Sequence, residues 1–249
     1  MTTQMHLAAQ YLAAAGISFV EKKDDDSHTN LGFSVEKGTL YTRELDNKSI
    51  VLSLSYDLFT LEWNDAGTKN ILRLDGTTHA EVLQWINRMV SSSNISVPYS
   101  YDIHYELPYQ INDDYVFKLQ DVSALQQLKE NRILAHTILR EFLDNNKLNS
   151  EIRIWPHHFD TGAFTSLEND SGLAIGLGMA IPDIISHQYY LYISGYKNNN
   201  TINVTDFNKL SLGEWKSKGF IGAILNVNGI IKSDGVSFFE QVMNQLITK

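Results

Sequence analysis

Leu7, Ala8, Tyr11, Leu12 and Ala15 recur at the spacing of one helix face, and Gly16 behind them predicts a left-handed stop. From Leu31 the pattern changes to alternation. Phe33 and Val35 are followed by Leu40 and Tyr41 across a turn at Lys37-Gly38, then by Ile50, Leu52 and Leu54, by the run Leu58 to Trp63, and by Ile71 to Leu74. Connections this short leave no room for helical crossovers, so these segments are expected to be consecutive antiparallel strands. Thr78 with Glu81 is a capping-box pair, and Val82, Leu83, Ile86, Met89 and Val90 give the helix after it a continuous apolar stripe.

Between 94 and 119 neither period dominates. Pro98 and Pro108 interrupt the segment, and tyrosines stand at 99, 101, 105, 109 and 115. So many rings need a surface to pack on, which predicts an extended connector laid along the protein. Ser123 and Gln126 form a second capping-box pattern ahead of Leu128, Ile133, Leu134, Ile138, Leu139, Phe142 and Leu143, the longest helical stripe. Strand-like runs and a closing helix follow. Ile71-Leu-Arg-Leu-Asp-Gly76 and Ile224-Leu-Asn-Val-Asn-Gly229 share one pattern, and a helix comes after each. Any strand-turn-helix segment has some of this likeness, and internal duplication is the sharper reading. The expected fold class is α+β: two related α+β units, each an antiparallel sheet covered by helices. They divide as 1–93, an N-terminal unit; 94–119, the Tyr/Pro-rich connector; and 120–249, a C-terminal unit.

Composition removes several chemistries. The 249 residues include no cysteine, so thiolate nucleophiles, disulfides and cysteine-ligated metals are excluded. Lys and Arg number 20 against 29 Asp and Glu, a net charge of −9, and no basic run opposes it, so nucleic acid is not an expected partner. The longest apolar stretch, Gly172 to Pro182, is shorter than the ~20 residues a spanning helix needs, so no membrane partner is expected. The first basic residue is Lys22, which leaves the apolar Leu7–Ala15 without the positive flank of a signal peptide, and a cytoplasmic location is expected. Oligomeric state is left open.

Phosphate loops, dinucleotide fingerprints, the serine-hydrolase elbow and the zinc-protease helix are all missing, and no cofactor is implied. One segment concentrates chemistry: Ile152-Arg-Ile-Trp-Pro-His-His-Phe-Asp160. Pro156 cannot donate to a sheet ladder, so the strand breaks or lies at an edge there. With the chain extended beyond it, His158 and Asp160 share one face and Trp155, His157 and Phe159 the other. A carboxylate beside an imidazole fixes its tautomer, and the pair can also act as metal ligands; a hydrogen-bonded structural pair is the plainer alternative. The ligand-binding candidates are Trp155, His157, His158, Asp160, Asp183, His187 and Tyr190, with room expected beside Gly176 and Gly178. His79, His104 and His136 stand alone and read as structural.

Trp155-Pro-His-His-Phe-Asp160, followed by the Gly176-x-Gly178 strand, Pro182-Asp183 and the tyrosines 189 to 192, resembles a group of uncharacterised bacterial proteins sharing a WPHHFD-type motif. The group's Ser-Pro-Gly-Asp-like turn is Ala180-Ile-Pro-Asp183 here. The resemblance covers roughly 150 to 196 and implies no activity. The leading expectation is a protein that binds a small molecule near this segment. One alternative is a metal-assisted hydrolase using His158, Asp160 and either Asp183 or His187. Another is a structural or protein-interaction module presenting the connector tyrosines.

Overall fold

A computed structural model describes residues 1–46, 48–167 and 172–248. Helices and two antiparallel sheets make it an α+β protein, and the chain gathers into two compact units. The first is Met1–Lys129 with Ile154–His157; the second is Glu130–Arg153 with His158–Lys249. Among the described residues no helix is long and apolar enough to cross a membrane.

In the first unit α1 (Thr2–Phe19) is buried on nearly every side from Met5 to Gly16. It does not stop at Gly16. A Cβ there would lie 2.9 Å from the His28 carbonyl oxygen, so the glycine serves the close approach of another backbone and the helix continues past it. The sheet is a meander in the order β1 (Gly32–Ser34), β2 (Thr39–Tyr41), β3 (Ile50–Ser55), β4 (Thr60–Asp65), β5 (Thr68–Arg73). Alternation sends Leu40, Leu52, Leu54, Leu61 and Trp63 into the core and leaves hydroxyl-bearing residues on the other face. α2 (His79–Ser92) opens with the capping box: Thr78 Oγ1 accepts from Glu81 N at 3.2 Å, and Glu81 Oε2 accepts from Thr78 N at 2.8 Å.

The connector belongs to this unit. From Tyr101 to Ile111 its odd-numbered residues turn inward and its even-numbered residues face solvent, a period of two in a segment outside any sheet. Tyr99 donates to the Tyr11 carbonyl at 3.2 Å and Tyr105 to Gln10 Oε1 at 2.7 Å, while the Tyr109 hydroxyl bonds His6 Nδ1. The Tyr101 ring centroid lies 5.3 Å from that of Tyr11 and 4.9 Å from that of His79. Tyr11 Oη and His79 Nδ1 are 2.7 Å apart.

Burial holds the His79 and His28 imidazoles below their ordinary pKa. Depressed histidines leave the unfolded chain binding more protons, so their contribution to stability is full above the unfolded pKa of about 6.5 and is lost as pH falls below it. Lowering the pH from about 7.5 to about 5.5 is therefore expected to reduce the melting midpoint, by roughly 2–4 °C per kcal/mol lost. Calorimetry checks this, and His79→Gln should flatten the dependence.

The second unit takes most of α3 (Val122–Asn145), whose first turn is capped by Asp121 Oδ1 accepting from Ala124 N at 2.9 Å, with Ser123 already inside the helix. Its strands are β7 (Asp160–Ser166), β8 (Leu173–Ala180), β9 (Tyr190–Lys197), β10 (Asn200–Thr201), β11 (Glu214–Lys218) and β12 (Phe220–Asn226), and the sheet's edge strand β6 (Arg153–Trp155) falls at the division, its Ile154 and Trp155 counted with the first unit. They lie in the order β11-β12-β9-β8-β7-β6, with β10 paired to β9. Ile175, Leu177, Leu191 and Ile193 on one face pack with Ile138, Leu139 and Phe142 of α3 and Phe238, Phe239 and Val242 of α4 (Lys232–Ile247).

The orders β1-β2-β3-β4-β5 and β6-β7-β8-β9-β12 correspond, with β10 and β11 additional in the second. Each last strand leads through a left-handed glycine, Gly76 at φ 84° and Gly229 at φ 76°, into a helix. With Ile71 and Ile224 matched, the cross-strand row Tyr41–Ser53–Glu62–Ile71 takes the place of Gly162–Gly178–Tyr192–Ile224.

Candidate functional site

Pro156 ends strand pairing as its missing N–H requires, but the chain does not stay extended beyond it. Residues 156–159 form the turn between β6 and β7, with Phe159 at φ 59°. The alternation expected through His157, His158 and Phe159 is thereby lost. His158 is exposed and Asp160 is buried, and an electrostatic interaction still links the two across the turn.

Asp160 finds another partner. Its Oδ2 accepts from the Tyr192 hydroxyl, and its Oδ1 is buried without a hydrogen-bond partner among the described residues. Tyr192 stands opposite Gly178 on the neighbouring strand, which stands opposite Gly162 on β7. A Cβ at 178 would meet Tyr192 Oη at 2.7 Å and the Thr161 carbonyl oxygen at 2.3 Å. The glycine thus opens the path by which Tyr192 reaches Asp160. Gly178→Ala is expected to remove about 1–3 kcal/mol of stability by overpacking and to displace the tyrosine, read as a lower urea midpoint and a changed tyrosine absorption spectrum.

Electrostatics follow from this packing. Burial raises the Asp160 carboxyl above its ordinary pKa, against the opposing influence of the Tyr192 hydrogen bond and the positive charges of His158 and Arg132. Burial also pushes the Tyr192 hydroxyl far up, and the neighbouring Asp160 adds to it. Tyr190 is shifted up by burial and by donating to Asp183 Oδ2 at 2.7 Å. Asp183 is exposed, and its Oδ1 accepts from Ile185 N at 2.7 Å and Ser186 N at 3.2 Å, so it organises the turn ahead of β9. His187 is exposed on the same loop.

Arg132 escapes a sequence reading. It is fully buried, donates to the Phe159 carbonyl at 2.7 Å and to Thr161 Oγ1 at 2.9 Å, and places its guanidinium 4.0 Å over the Phe159 ring. These bonds flank Asp160 and hold the left-handed Phe159. Its signal was its position: Leu128, Arg132, Ala135 and Leu139 follow one buried stripe, where a charge needs partners.

The remaining candidates lie in the first unit. The Trp155 and His157 ring centroids are 6.3 Å apart, and His157 lies 5.7 Å from Tyr105. The Pro156 carbonyl is 2.8 Å from His6 Nε2 and accepts from Gln10 Nε2 at 2.9 Å, which pins the motif's backbone to α1. The seven candidates therefore split between the units. Asp160 and Tyr190 share one electrostatic neighbourhood with Tyr192, and Asp183 joins it through Tyr190.

The open face of the second sheet is floored by Ala174, Gly176 and Gly178 and flanked by Phe164, Tyr192 and Tyr196. A concavity of about 370 Å3 lies at its Phe164–Tyr196 end, and its lining does not include Asp160 or the Pro182-Asp183 turn. Among the described residues no three His, Asp or Glu side chains gather as a metal ion would require, so the geometry lends no support to a site built from His158, Asp160 and Asp183 or His187. Compared with family models, curated proteins and solved structures, the chain matches none.

Proposed function

We propose that this is a cytoplasmic small-molecule-binding protein whose second unit takes a ligand bearing a hydrogen-bond donor, an amine or a hydroxyl, against Asp160. The observation that carries this reading is the buried, unpartnered Asp160 Oδ1 beside the Tyr192 hydroxyl. Leaving a carboxylate oxygen unsatisfied in a protein interior is unfavourable by about 1–3 kcal/mol or more, and a ligand donor removes that penalty. The glycine and alanine floor beside it gives a small molecule a shelf, and the cysteine-free composition fits a reducing compartment. In this reading the two units descend from one duplicated unit, supported by their shared strand order and matching left-handed glycines. The motif resemblance to the WPHHFD-type group belongs to the same proposal. The connector tyrosines pack on α1 and His79.

Thermal-shift screening of small amines, amino sugars and polyols against the full chain tests the proposal. A compound that raises the midpoint of the wild type and leaves Asp160→Asn unmoved is the expected result. A screen whose hits stabilise both proteins equally would reject Asp160 as the site.

A further inference from the structure

The open face of the first sheet is a second concavity, of about 750 Å3, with a different chemistry. Tyr41 stands on it with 37% of its surface exposed. A Cβ on Gly32 would fall 2.2 Å from the Tyr41 Cζ and 2.3 Å from its Cε2, so the ring lies across a backbone that has no side chain to lift it. One side of the ring is thus against the sheet and the other meets solvent. Such a ring is a platform on which another flat, C–H-bearing surface can stack.

Beside it runs a line of hydroxyls. Ser34, Thr39, Ser55 and Thr60 are neighbours in register across four strands, at the ~4.8 Å strand spacing. Three are each oriented by one local bond: Ser34 Oγ accepts from Lys37 N at 3.2 Å, Ser55 Oγ accepts from Leu58 N at 3.2 Å, and Thr39 Oγ1 donates to the Lys37 carbonyl at 3.0 Å. A hydroxyl has one donor and two acceptor positions, so each keeps capacity for a ligand while its direction is fixed.

Charge narrows the ligand class. Lys69 pairs with Glu62 at 2.9 Å, and Lys129 and Gln126 both donate to Asp57. An anionic ligand would compete with those carboxylates for Lys69 and Lys129, leaving Lys37 as the other lysine on this face, and would approach a chain of net charge −9. A wholly apolar ligand would desolvate the hydroxyl line without replacing its water bonds. A neutral polyhydroxylated molecule meets neither penalty. Its C–H face suits Tyr41 and its hydroxyls suit the serine and threonine line.

We propose that this face is a carbohydrate-binding site for a neutral oligosaccharide, with Tyr41 as the stacking platform and Ser34, Thr39 and Ser55 as the hydrogen-bonding wall. In the second unit the corresponding row carries Gly162, Gly178 and Tyr192, so the two faces take different ligands.

The test applies the full chain to a microarray of neutral gluco-, manno-, galacto- and xylo-oligosaccharides, with sulfated and uronic-acid glycans on the same slide. Titration calorimetry with the best neutral oligosaccharide follows. Binding to a neutral series is expected, weakened about tenfold by Tyr41→Ala and nearly kept by Tyr41→Phe, since stacking needs the ring alone. Thr39→Ala should weaken it independently, which keeps the test valid if loss of the tyrosine disturbs folding, and Asp160→Asn should leave it unchanged. Circular dichroism confirms that each variant is folded. No binding to any neutral glycan, binding to acidic glycans alone, or affinity indifferent to both Tyr41→Ala and Thr39→Ala would overturn the proposal.

Discussion

Arg132→Ala is expected to lower the stability of the second unit by about 3–5 kcal/mol, because two hydrogen bonds from a buried cation disappear together and their acceptors stay behind. The Phe159 carbonyl and Thr161 Oγ1 both lose Arg132 as a donor, and the Phe159 ring loses the guanidinium stacked 4.0 Å above it. The left-handed Phe159 makes the loss larger. A bulky residue holds φ near +59° only where its surroundings impose it, and the Arg132 bond to its carbonyl is part of what does so here. Arg132→Lys should recover less than half of the difference, since an ammonium has neither the fork that reaches two acceptors nor the flat surface that covers the ring. Urea unfolding followed by circular dichroism measures the effect. A change below about 1 kcal/mol would show that the turn holds its shape without the arginine.

Asp160→Asn should behave in the opposite way. At neutral pH the variant is expected to be as stable as the wild type or up to about 1 kcal/mol more stable, although the position is buried, because it removes a carboxylate held above its ordinary pKa by desolvation. The sign can be followed through pH. A carboxyl raised in the folded state contributes stability that is fully present below the unfolded pKa of about 3.9 and is lost as pH rises through the folded value. The asparagine has no such loss, so the stability difference should move in favour of the variant as pH rises from about 4 to about 8. Urea midpoints across that range read the trend. A destabilisation by several kcal/mol, constant with pH, would make Asp160 a structural member of the Tyr192 bond and remove the basis for a ligand there.

The fold was legible where one period governed one element. Ile50, Leu52 and Leu54 could only be a strand with one buried face, and Thr78 with Glu81 marked the start of α2 to the residue. The connector was legible as something packed but not as what it is, a strap whose alternate side chains from Tyr101 to Ile111 face inward without a sheet ladder. Local pattern failed where a distant group decided the outcome. Gly16 looked like a stop because its φ is unconstrained, whereas its role comes from the His28 backbone passing close to it. The site was half legible for the same reason. Asp160 stood out in the motif, but its partner Tyr192 lies 32 residues on and becomes visible only with the register that sets it opposite Gly178. Pro156 was read as a break in an extended chain, whereas a four-residue turn follows it and leaves His158 exposed and Asp160 buried.

The segment Ile154–His157 has a consequence for the order in which the protein can mature. During synthesis the first 129 residues emerge with α1 and its strap complete, yet three residues of that unit still await partners. Leu31 exchanges both of its backbone hydrogen bonds with Ile154, at 3.0 and 2.8 Å, and the His6 ring and Gln10 amide meet the Pro156 carbonyl. Those atoms come from the ribosome only after the whole of α3 has followed. The first unit therefore finishes late, after translation has entered the second. A polypeptide cut at Lys129 would keep Leu31 without its ladder partner and His6 and Gln10 without the Pro156 carbonyl, so the first unit is contiguous neither in sequence nor in the order of its synthesis.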